Sequence, residues 1–145
     1  MFYGQSPQDT RLFFYDTWQK YQQKKILTVI EQQLLDVILA HPEYHAILED
    51  KTQIDKTYLP ELGETNPFLH MGLHLGLREQ IMTNRPSGIL DIYQRLLEKL
   101  HDPLVVEHRM MDCLVECMWL AQKNQTIPND DDYLSLLSSM AEQFI

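Results

Sequence analysis

Glycine is scarce in this 145-residue chain: five in all, with Gly4 followed by none until Gly63. That leaves no glycine-rich phosphate loop and no nucleophile elbow. Alternating apolar–polar runs of strand type are absent as well, so the pattern offers no sheet. Basic residues are few. Twelve Lys and Arg against 21 Asp and Glu leave a formal charge of −9, which argues against nucleic-acid partners and against anionic membranes. No stretch reaches the roughly 18 uninterrupted apolar residues that a membrane helix requires. The start, MFYGQSPQDTR, lacks the basic region and apolar run of a signal peptide. Only two cysteines occur, Cys113 and Cys117, four apart in one helical run. They are too few for a disulfide framework and read as small buried hydrophobes in a reducing, cytoplasmic setting.

What is present is helical periodicity throughout. Helices are predicted over residues 8–22, 25–40, 42–49 (short, opened by Pro42), 66–82, 87–100, 103–123 and 130–143, with residues 50–65 as a long loop. Asn66-Pro67 and Asp102-Pro103 are cap-plus-proline starts. Three aspartates, Asp130 to Asp132, suit a helix N-terminus. Apolar stripes are predicted along Leu12, Tyr15 and Trp18 or Gln19; along Leu27, Ile30, Leu34, Val37 and Ile38; and along Leu69, Leu73, Leu77 and Ile81. In the 103–122 run, Val105, His108, Asp112, Val115 and Trp119 share an arc, with Cys113 and Cys117 opposite. Gly72 and Gly76 each weaken their helix by about 1 kcal/mol relative to alanine, and the expected return is close approach of another helix. The expected fold is all-α: a single-domain antiparallel helical bundle of about five to six helices.

The most telling stretch is Asn66 to Gln80, NPFLHMGLHLGLREQ. His70 and His74 stand four apart, which stacks them on one helix face. His45 and Glu49 share that spacing, as do His108 and Asp112. Imidazoles with a few carboxylates suit iron, zinc or manganese, and bundle cores build metal sites from facing helices. A buried imidazole without a metal needs a hydrogen-bond partner, because an unpaired buried polar group costs roughly 1–3 kcal/mol. Core histidines that simply hydrogen-bond therefore compete with the metal reading. His41 reads as a helix-start residue, His101 as exposed near a helix C-terminus, Glu107 as solvated, and Arg78-Glu79 as a surface or inter-helix ion pair.

The order His-x3-Glu, His-x3-His, then His followed by Asp resembles the di-iron haemerythrin pattern. That resemblance implies His45, His70, His74 and His108 as terminal ligands and Glu49 and Asp112 as bridging carboxylates. This chain has three residues between the last His and Asp where that family has four, and no first histidine near residue 16. Across most of its length the chain also resembles the domain of unknown function 1841 family of proteobacterial proteins. The resemblance rests on Met1-Phe2, His41-Pro42-Glu43-Tyr44-His45, Asn66 to His74 and Glu107-His108-Arg109-Met110-Met111. It implies a small bacterial cytoplasmic protein and brings no activity, cofactor or partner with it.

Two functions are therefore expected in competition. One is a core metal site of iron, zinc or manganese on His70, His74, His108 and Asp112, with His70 and His108 close in space. The other is a metal-free protein–protein interaction module or homodimer. A metal-dependent hydrolase would need an open coordination position and a base, for which Glu79 or Glu116 is the candidate. No catalytic residue is otherwise assigned.

Overall fold

The computed structural model describes residues 7–144, with side chains from residue 9 onward; the Met1-Phe2 start lies outside them. Among the described residues there are seven α-helices and no strand, slightly more helices than the five to six expected. The short helix expected over 42–49 is realised as a 3₁₀ turn over Pro42–Tyr44 followed by the four-residue α-helix His45–Leu48. The chain divides into two compact units, residues 1–75 and 76–145.

The first unit holds α1 (Pro7–Gln22), α2 (Val29–Leu39), α3 (His45–Leu48) and the start of α4 (Pro67–Thr83). Its core gathers Phe14, Tyr15, Trp18, Leu34, Val37, Ile38, Leu48, Phe68 and Met71. Tyr15 and Trp18 are buried as the stripe predicts, while Leu12 is 40% exposed and fully buried Phe14 takes its place, so α1 turns its larger aromatic surface inward. Helix α2 starts at Val29, later than expected, because Thr28 and Glu31 form a capping box. Thr28 Oγ1 accepts from the Glu31 amide at 3.2 Å, and Glu31 Oε1 accepts from the Thr28 amide at 2.9 Å. Glu31 is buried and also accepts from Lys20 Nζ at 2.7 Å.

The polar loop 50–65 contains two 3₁₀ turns, Lys51–Gln53 and Pro60–Leu62. Arg11 holds it in place: its Nη1 donates to the carbonyls of Ile54 (2.6 Å) and Lys56 (2.8 Å), and its guanidinium lies over the Phe68 ring. At the start of α4, Asn66 Oδ1 accepts from the amides of Phe68 and Leu69. The expected stripe of α4 is corrected in part. Leu69 is 57% exposed, whereas Phe68, Met71, His74, Leu75 and Leu77 are buried.

The second unit holds the end of α4, then α5 (Ile89–Leu100), α6 (Pro103–Lys123) and α7 (Asp130–Glu142). Asp102 and Asn129 cap α6 and α7 through side-chain oxygens that accept backbone amides. The buried face of α6 is Val106, Met110, Cys113, Cys117 and Ala121, opposite to the expected arc. Val105, Val115 and Trp119 are 40%, 47% and 56% exposed. Both cysteines are free and buried, and their thiols donate to the Leu136 and Asn129 carbonyls. Small side chains on that face let α7 pack closely. A Cβ on Gly76 would meet no heavy atom of another element within 4 Å, so the expected close approach at that glycine is not found. No helix among the described residues is long and apolar enough to cross a membrane.

Candidate metal centre

Three histidines of the first unit converge. His70 and His74 come from one face of α4, one turn apart. The third is His41, delivered from the other side of the loop by the way α2 ends. His41 follows Ala40, the last cap of α2, with extended-side dihedrals (φ −127°, ψ 67°), and Pro42 begins the next turn. Proline disfavours helical geometry at the residue before it, so α2 stops here and the His41 side chain turns inward. It is 1% exposed, and His74 is fully buried.

His41 Nδ1 lies 2.7 Å from the Val37 carbonyl oxygen. A carbonyl only accepts, so Nδ1 carries the proton and donates it. In the neutral ring Nε2 then carries a lone pair in place of a proton. Toward this lone pair point His70 Nε2 at 3.1 Å and His74 Nδ1 at 3.3 Å. The three ring planes are mutually near-perpendicular, at 79°, 84° and 81°. Ligand nitrogens of all three lie within 4.8 Å of one another.

Two nitrogens held about 2.05 Å from one zinc in tetrahedral geometry stand about 3.3 Å apart. The two separations from His41 Nε2, 3.1 and 3.3 Å, match that edge. The Nδ1–H bond to a main-chain carbonyl is also the outer-shell contact that fixes the tautomer of a metal-ligating histidine. The group of possible ligands found among the described residues is all imidazole nitrogen.

The other candidates stand as follows. His45 Nε2 donates to the Ile38 carbonyl at 2.8 Å, and its ring packs on Trp18 with centroids 4.3 Å apart. Glu49 accepts from Gln22 Nε2 at 2.8 Å on an exposed surface. His45 is thus bonded to the end of α2 and Glu49 to α1. His108 belongs to the second unit and is half-buried on α6, while Asp112 one turn later is exposed. Asp112 lines a depression of about 280 Å³ with Arg109, Cys113 and Glu116. His101 is exposed at the C-terminal cap of α5, as expected. Glu107, read from the sequence as solvated, is instead buried and accepts from Arg78 Nε at 2.8 Å.

His41 is the residue that sequence reasoning missed. The signal was present: continuing the α2 stripe Leu34, Val37, Ile38 by three or four residues lands on position 41. Reading His41-Pro42 only as a helix boundary hid this.

No curated protein and no solved structure matches the chain. A family model, described as Domain of unknown function (DUF1841), matches residues 6–139. With that match spanning nearly the whole sequence, the chain belongs to the DUF1841 family.

Proposed function

We propose that this protein binds a transition-metal ion through His41, His70 and His74. The observation that carries the reading is the convergence of ring nitrogens: His41 Nε2, with Nδ1 bonded to the Val37 carbonyl, has His70 Nε2 at 3.1 Å and His74 Nδ1 at 3.3 Å. An all-imidazole set suits zinc or iron(II) better than manganese, which prefers carboxylate oxygen. His108, which the sequence nominates as a further ligand, is tested by the same measurement on His108→Ala. Elemental analysis of untagged protein purified without chelator should return stoichiometric zinc or iron. His41→Ala and His74→Ala should return none while keeping their helical circular dichroism. Metal-free wild type after supplementation with each ion would refute the proposal.

A second reading, an interaction module, rests on a different observation. Val115, Met118 and Trp119 form an exposed apolar row on α6, with Trp119 56% exposed. Isolated exposed apolar residues are ordinary, whereas three on adjoining turns of one helix offer a partner an apolar face. Sedimentation of wild type against Trp119→Glu tests it: a dimer lost in the variant supports this reading, and a monomer in both removes the homodimer.

A further inference from the structure

Tyr44 is not one of the histidines, yet it is packed on them. The 3₁₀ turn Pro42–Tyr44 closes with the Tyr44 amide donating to the His41 carbonyl at 3.0 Å. That turn folds the phenol ring back over the imidazole it follows. The Tyr44 and His41 rings are stacked, with centroids 5.6 Å apart and planes 11° from parallel. The same ring meets His70 edge-on at 6.0 Å and 71°. One aromatic side chain thus touches two of the three proposed ligands. Both faces of the geometry matter. The stack fixes the tilt of His41, and the edge contact limits the swing of His70.

We infer that Tyr44 is a positioning residue of the proposed metal centre: its ring, not its hydroxyl, holds His41 and His70 at the angle that lets their nitrogens share one ion. The inference rests on the metal reading given above. Aromatic contacts of this kind are directional, and outer-shell partners of ligating histidines typically govern 10–100-fold of metal affinity.

Cobalt(II) titration of the full chain, read by its visible ligand-field bands, tests the inference. Tyr44→Phe keeps the ring and should bind and absorb like wild type. Tyr44→Leu loses the ring and should bind about tenfold more weakly, with shifted bands. A role in stability alone would lower the melting temperature of apo protein and leave the bands of the cobalt form unchanged. Tyr44→Leu with wild-type affinity and bands overturns the inference while leaving the metal reading intact. Tyr44→Phe as impaired as Tyr44→Leu overturns it too, by moving the role to the hydroxyl. If Tyr44→Leu loses its helical circular dichroism, Tyr44→Met takes its place with the same readouts. Wild type that binds no cobalt, zinc or iron overturns the metal reading and this inference together.

Discussion

Replacing His41 with alanine separates a metal centre from a hydrogen-bonded core. The substitution removes the Nδ1–H donor to Val37 and the Nε2 atom that faces His70 and His74. His41 is 1% exposed, so no bulk water replaces these contacts without rearrangement. Unsatisfied buried groups and the vacated ring volume together cost about 3 kcal/mol. In a chain of this length each kcal/mol moves the melting temperature by about 3 °C, so apo His41→Ala should melt about 10 °C below apo wild type. The decisive quantity is the response to metal. An ion at 100 times its dissociation constant stabilises the folded state by about 2.7 kcal/mol, which raises the wild-type melt by about 8 °C. His41→Ala has lost the shared lone pair, and zinc or iron(II) should move its melt by less than about 2 °C. Thermal melts of both proteins, chelated and then reloaded, give the comparison. A metal-induced rise of equal size in the two proteins would refute the assignment of His41 as a ligand.

Further expectations concern the scaffold. Thr28→Ala breaks the capping box of α2 and should cost about 1 kcal/mol in chemical denaturation. Lys20 and then the Thr28 amide hold the Glu31 carboxyl below its ordinary range. Its contribution is therefore present above the unfolded carboxylate pKa and lost as pH falls through the lower folded value; Glu31→Gln should flatten that acid-side loss, and an unchanged pH profile would contradict it. Arg78→Met removes the guanidinium from buried Glu107 and should destabilise by roughly 2–3 kcal/mol, more than the paired change Arg78→Met with Glu107→Met. Burial pushes the Cys113 thiol up to about 11, so a thiol reagent at pH 8 should leave Cys113 unlabelled in native protein and label it on denaturation; fast native labelling would show the α6–α7 face to be open.

The sequence by itself determined the elements. Apolar period, the Asn66-Pro67 and Asp102-Pro103 starts and the aspartates at 130–132 are local signals, and the helices at Pro67–Thr83, Pro103–Lys123 and Asp130–Glu142 follow them closely. Pairing of His70 with His74 was equally legible, because a spacing of four residues settles it within one helix. Which face turns inward was not. The run 103–123 is apolar on both sides, and only the packing of α7 against Cys113 and Cys117 decides that Val115 and Trp119 face out. The destinations of Arg11, Arg78 and His45 were likewise open, since each bonds a residue far from its own helical turn or a carbonyl freed at a helix end. His41 lies between the two cases. Its place in the α2 stripe is written in the sequence, but its meeting with His70 and His74, 29 and 33 residues further on, depends on how the intervening loop folds back. Local spacing is fixed by the geometry of one helix, whereas convergence across a loop is fixed by the whole set of contacts that close it.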